Sequence, residues 1–244
     1  MHKILREFRV IRFDPPIFVL FCIFLLGMAL AIPAFAREEP EKVVCFTFDD
    51  GPSAVTEEIL EILAEEDVPA TFFVIGPDGE CTDERLCAIA DAGQEIGLHS
   101  WSHDYKKIYA SADAYLEDLE TEREWIESVT GSAPTAVRLP GGSTNIYANR
   151  DVLSLIKGEL EKGGYTCYDW NADGKDSVTQ GITAREIERN VLSCAEGKDT
   201  VVVLLHDSSV RKTTPKALSL LIEDFREKGY RFCRLSELSD PVCF

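Results

Sequence analysis

Three histidines lie beyond residue 36, and two of them stand four positions apart in the stretch His99-Ser100-Trp101-Ser102-His103. That spacing puts both imidazoles on one side of a helical turn, where a divalent cation can bridge them; a pair alone serves a hydrogen-bonded cap or surface role as readily. A second concentration of chemistry is Thr47-Phe48-Asp49-Asp50-Gly51-Pro52, where an apolar run ends in adjacent carboxylates before a Gly-Pro turn. One of these acids can cap the following helix. Two neighbouring carboxylates repel unless a cation or a shared proton separates their roles, so one as ligand and one as base is the division that suits both.

These residues need a scaffold that brings distant segments to one rim. Short apolar, β-branched runs predict strands at 43–48, 70–75, 95–98, 136–139, 165–170, 200–205 and 230–235. Segments of helical period between them predict helices near 54–66, 83–92, 111–129, 149–162, 183–196 and 215–228. In the first, Ile59, Leu60, Ile62 and Leu63 gather on one face and a row of glutamates on the other. Repeated βα units make a parallel sheet, open or closed. Seven units without a glycine-rich phosphate loop favour an α/β fold of the distorted, incomplete (β/α)7 barrel kind. Asp49 and Asp50 then follow the first strand and His99 the third. Arg138 ends the fourth, Asp169 to Asp176 follow the fifth, and His206 and Asp207 follow the sixth. In such a barrel the carboxyl ends of the strands share one face, and active sites are built there.

The chain has 244 residues, 45% of them hydrophobic, which suits one sizeable core and excludes a disordered polymer. With 25 basic against 43 acidic side chains and a net charge of −18, it lacks the cationic surface that a nucleic-acid partner requires. Nothing points to a nucleotide or organic cofactor.

TFDDGPS at 47–53, HSWSH at 99–103, RLPGG at 138–142 and LLHDS at 204–208 resemble, in order and spacing, the motifs of the polysaccharide deacetylase family, carbohydrate esterase family 4. The resemblance runs from residue 43 to about 235. It implies a distorted βα barrel that removes N-acetyl groups from sugar polymers with one divalent metal, chiefly zinc, with cobalt, nickel or manganese as alternatives. Carried over residue by residue, it implies Asp50, His99 and His103 as metal ligands and Asp49 as the base, held by Arg138. His206 is implied as the acid that protonates the departing amine. The Gly141 N–H is implied as an oxyanion donor and Leu204 as a wall for the acetyl methyl. The acid that tunes His206 aligns to Asp176, with Asp173 as runner-up, and Ser177 stands where the family commonly has Trp. Many members carry an aromatic residue at the place of Gly141. Both losses imply a more open groove. Trp101 could stack on a sugar or pack into the rim.

The implied substrate is acetylated cell-wall glycan, peptidoglycan N-acetylglucosamine or N-acetylmuramic acid, or chitin-like oligosaccharide. An O-acetyl esterase acting on xylan and a glycan-binding module without turnover are the competing readings. The expected state is a monomer.

Residues 1–36 read as a secretory signal or membrane anchor. Lys3, Arg6, Arg9 and Arg12 precede an apolar run from Ile17 to Ile32 and the tripeptide Ala34-Phe35-Ala36. Residues 37–244 then form one exported catalytic domain, with a membrane reached only through that segment. Export allows disulfides. Cys45, inside a buried strand, is expected to be free and the other six cysteines past the signal to pair, with Cys81–Cys87 and Cys233–Cys243 nearest in sequence; reduced buried thiols are the alternative.

Overall fold

The computed structural model describes residues 41–77 and 79–244. The expected signal or anchor segment lies outside the described residues. Among those described, no helix is long and apolar enough to cross a membrane.

Seven strands lie side by side in the order β5-β4-β3-β2-β1-β7-β6, and an eighth pairs with β1 off that path. They are β1 (Val43–Gly51), β2 (Ala70–Ile75), β3 (Glu95–Ser100), β4 (Ala136–Val137), β5 (Thr166–Cys167), β6 (Ala172–Asp173), β7 (Thr200–His206) and β8 (Arg231–Phe232). Every pairing is parallel. The helices are α1 (Ala54–Glu66), α2 (Thr82–Asp91), α3 (Tyr105–Ile108), α4 (Ala112–Thr130), α5 (Arg150–Lys162), α6 (Ala184–Ala195) and α7 (Thr214–Glu227). This is the incomplete (β/α)7 barrel that the alternation of runs led us to expect.

Local chemistry starts the helices. Ser53 and Thr56 cap α1 reciprocally, as Thr183 and Glu186 cap α6, while Ser111 accepts from Ala114 N at the head of α4. Each cap satisfies amide donors that the first turn leaves without partners.

Side-chain parity divides the strands between two apolar layers. Val44, Phe46 and Phe48 of β1, with Phe72 and Val74 of β2 and Val201, Val203 and Leu205 of β7, pack beneath the helices. The alternate residues Val43, Cys45, Phe73, Ala136 and Val202 fill the barrel interior. Continuing that inner parity to the carboxyl ends gives Asp49 on β1, His99 on β3, Arg138 after β4, and Leu204 and His206 on β7. The sequence thus aims these five at one interior by counting in twos.

The expected fifth strand, 165–170, departs from the fold. It stops at Cys167, and an unanticipated strand, β6, begins at Ala172. These two strands are the opposite ends of the sheet order. The intervening residues cross the open seam: Tyr168 N donates to Val137 O at 2.8 Å on one side, and Asn171 N to Val202 O at 3.1 Å on the other. Five residue steps reach at most roughly 18 Å, so the sheet has to curl until its ends nearly meet.

Cys45 is free, as expected, and only the expected pairing of the other six cysteines fails. Cys45 is not isolated, because β8 runs beside β1 with Val44 opposite Phe232, and the next residues, Cys45 and Cys233, meet inside the barrel with sulfurs 2.7 Å apart. Cys167 lies near Cys243, and each thiol shifts the titration of the other. All seven cysteines among the described residues are free thiols. Proximity in sequence misleads here because a parallel sheet brings together residues nearly 190 positions apart.

Candidate active site

Neighbouring residues of a strand point to opposite faces, so Asp50 ought to turn away from Asp49. It does not, because the β1–β2 ladder shifts at that point: Asp49 pairs with Phe73 and Gly51 with Val74, which leaves Asp50 unpaired between them. The β2–β3 ladder shifts likewise, with Val74 opposite Leu98 and Ile75 opposite Ser100, so His99 is the unpaired residue there. Such irregularities re-aim side chains beside functional sites. Asp50 has φ 70° and His103 φ 47°, left-handed conformations that cost a non-glycine residue about 1–3 kcal/mol each. Gly51 has no room for a side chain, because a Cβ there would run into the Asp207 carboxylate.

Asp50 Oδ1 lies 3.2 Å from His103 Nε2 and 3.6 Å from His99 Nε2, and one ligand atom from each residue falls within 4.8 Å of the others. Donors bound about 2.0–2.1 Å from a tetrahedral ion stand about 3.3 Å apart, so these three side chains fit a single divalent cation. The tautomer of His99 is fixed by Arg138 O, which can only accept; Nδ1–H donates to it at 2.7 Å and Nε2 is left with its lone pair toward Asp50. Burial, opposed by the charge of Asp50, lowers the His99 pKa to about 3, so the ring stays neutral and ready to ligate.

Beside the cluster, Asp49 Oδ1 accepts from Arg138 Nη1 at 2.8 Å. Oδ2 is 3.9 Å from His99 Nε2. Arg138 is fully buried, and three more of its N–H groups go to Thr47 Oγ1, Tyr168 O and Asp169 O at 2.6 to 3.2 Å. Burial raises the Asp49 carboxyl above its ordinary value, and Arg138 pushes back. A buried guanidinium needs every one of these partners, because an unpaired charge in the interior is strongly destabilising.

Across the rim, His206 Nδ1–H donates to Asp176 Oδ1 at 2.8 Å, while Asp176 Oδ2 accepts from His206 N and Thr214 Oγ1. Burial works to lower the His206 pKa, but the hydrogen bond and charge of Asp176 outweigh it and raise it to about 9. Asp173 instead binds the amide and ammonium of Lys175 at the surface. Leu204 is buried two residues before His206, on the same parity.

Gly141 has φ +79°, and a Cβ there would lie 3.3 Å from Tyr105 Cε1. The wall expected to be open at this point is therefore occupied, since Tyr105 stands against it with Tyr147 at 4.5 Å between ring centroids and His103 at 5.3 Å. Trp101 packs against Gly76 and, edge-on, against Trp125, at 5.8 Å.

Four further residues support the site; pattern reading misses three of them and places the fourth, Asp169, at the rim without a role. Asp118 and Glu122 of α4 are buried and hydrogen-bonded to the segment His99–Ser102. Burial raises Glu122 well above the usual carboxyl range. They read as part of an acidic helix face; their spacing of four, in register with the apolar stripe, was the available signal. Asp169, in the seam, accepts from Ser143 N, Ser143 Oγ and Phe244 N. Tyr105 was hidden because its contact with Gly141 is made through space.

Comparison with known proteins agrees with this architecture. The family model described as polysaccharide deacetylase matches residues 36–157. A peptidoglycan-N-acetylglucosamine deacetylase of Bacillus cereus is 32% identical over 81% of this chain and 88% of its own length. A second from that organism is 29% identical over 87% of this chain and 76% of its own. The crystal structure of the catalytic domain of a peptidoglycan N-acetylglucosamine deacetylase from Eubacterium rectale superposes with a TM-score of 0.78 at 29% identity, covering 83% of this chain and 92% of that one. The chain belongs to the polysaccharide deacetylase family, metal-dependent hydrolases that act on carbon–nitrogen bonds other than peptide bonds.

Proposed function

We propose that this chain is an exported, zinc-dependent N-deacetylase of cell-wall glycan, acting on N-acetylglucosamine or N-acetylmuramic acid residues of peptidoglycan. One observation carries the reading: a proton acceptor and a proton donor, each fixed by a buried partner, flank a three-residue metal cluster. Asp50, His99 and His103 would hold the ion; when bound, it supplies the Lewis acidity that acidifies water and polarises the substrate carbonyl. Neutral imidazoles and a carboxylate are donors that zinc accepts well.

The protein's own residues supply the proton transfers. Arg138 occupies Asp49 Oδ1, so the proton of the attacking water goes to Oδ2. The Gly141 N–H would donate to the oxygen that becomes negative as the amide carbon turns tetrahedral. With Nδ1 engaged by Asp176, His206 delivers its proton from Nε2 to the leaving nitrogen. A raised pKa keeps it protonated at neutral pH, as an acid must be. Leu204 would meet the acetyl methyl. Export rests on the basic start and apolar run of residues 1–36.

The test is acetate release from peptidoglycan fragments by the purified domain. We expect turnover that a chelator abolishes and zinc restores, and that Asp49→Asn removes. Faster release from acetylxylan than from N-acetylated oligosaccharides would overturn the substrate; calorimetric glycan binding by metal-loaded protein with no acetate would overturn the enzyme reading.

A further inference from the structure

The main-chain N–H of each histidine in the metal cluster leads to an acid on one helix. His99 N donates to Glu122 Oε1 at 2.9 Å. His103 N donates to Ser100 Oγ at 2.9 Å, and Ser100 Oγ donates onward to Asp118 Oδ2 at 2.6 Å. Asp118 also accepts from Trp101 N at 2.8 Å and from Ser102 N at 3.1 Å. Both acids are buried, at 6% and 0% exposure, and one helical turn apart on α4. The segment they hold includes the left-handed residue His103, a conformation that persists only where surroundings impose it.

We propose that Asp118 and Glu122 are positioning residues that set the spacing of His99 and His103 for metal binding. This rests on the metal reading above. Neither acid is among the ligand atoms, so both act through the backbone. A carboxylate suits position 118 because every neighbour there is a donor; asparagine would turn its own NH2 group toward one of them.

The experiment compares wild type, Asp118→Asn, Glu122→Gln and Glu122→Leu as full chains, stripped with a chelator. Zinc affinity is measured by competition with a chromophoric chelator, and melting is recorded with and without zinc. Loss of an outer-shell partner typically weakens metal binding about 10–100-fold, and we expect that range for Asp118→Asn and about 10-fold for Glu122→Leu. Glu122→Gln keeps an acceptor for His99 N and should stay within about threefold. A merely structural brace would lower the melting temperature of zinc-free and zinc-bound forms equally, leaving the zinc-induced rise intact. That result, or Asp118→Asn binding zinc as tightly as wild type, overturns the proposal. If Glu122→Leu does not fold, Asp118→Asn decides alone. A wild-type chain that binds no zinc would instead overturn the metal reading itself.

Discussion

The two halves of the rim are built differently. The ligand half rests on β1, β2 and β3, of nine, six and six residues, joined by parallel ladders that shift only near their carboxyl ends. The half around the seam rests on β4, β5 and β6, of two residues each. Where ladders are long, main-chain hydrogen bonds fix the parity of each side chain and a single shift re-aims it. Where they are short, buried side chains do the anchoring instead. Asp169 holds Ser143 and Phe244, and Asp176 holds His206 and Thr214. On the ligand half the ladders fix the strands and Asp118 and Glu122 brace only the segment that ends β3, whereas around the seam carboxylates stand in for strands too short to carry a ladder.

Substitutions on the two sides should fail in different ways. The largest effect is expected at Asp49→Asn, which removes the proposed base from a strand end that other bonds still hold. Deacetylation should fall about 10²–10⁴-fold, the usual range for a general base, while zinc affinity stays near wild type. Arg138→Met should strike the fold first. It strands the buried Asp49 carboxylate, and denaturant unfolding should show a loss of about 3–5 kcal/mol. Asp169→Asn should cost about 1–3 kcal/mol by leaving a donor of Ser143 or Phe244 unmatched, and should do so without moving zinc affinity.

Asp176→Asn tests the seam side by pH. As the proposed acid, His206 has to be protonated, so activity should be lost as pH rises through its pKa, about 9 in the intact protein. The hydrogen bond and charge of Asp176 do most to raise that pKa against burial, with the charges of Asp49 and Asp50 adding to them. Without the charge of Asp176, the alkaline limb of the rate profile should move down toward the ordinary histidine value of about 6.5, or below it. An unmoved limb would mean that another group sets it.

The same contrast explains what could be read from the sequence. Asp49, His99, Arg138, Leu204 and His206 were legible because they close apolar runs whose period of two fixes their face. Asp50 was legible as chemistry but not as geometry, since nothing in the letters announces the ladder shift that turns it inward. β6 was illegible because Ala172-Asp173 carries no apolar run; its strand state comes from pairing with Val203 and Leu204. Asp118 and Glu122 were disguised by their surroundings, being two of many acids on α4, where only burial distinguishes a brace from a solvated charge. The partnership of Cys45 with Cys233 depended on β8 returning beside β1, a fact of topology rather than of spacing.

The smallest expected effect lies where the two halves meet at Gly141, over the proposed substrate site. Gly141 offers its N–H without a side chain, and the space beside it is walled by Tyr105, which the ligand half supplies from just beyond His103. Tyr147, from the loop that follows Gly141, stands against it and is 64% exposed, so its ring is held with little burial to justify it. An aromatic face beside the reacting group suits the apolar face of a sugar ring. Truncating an exposed ring should leave the fold intact, so Tyr147→Ala should melt as wild type does. A lost stacking contact of about 1 kcal/mol would raise KM for N-acetylated oligosaccharides roughly fivefold with kcat little changed. A fall in kcat at constant KM would show instead that Tyr147 acts by holding Tyr105 and the Gly141 turn in place, tying the loop on the seam side to the geometry of the ligand side.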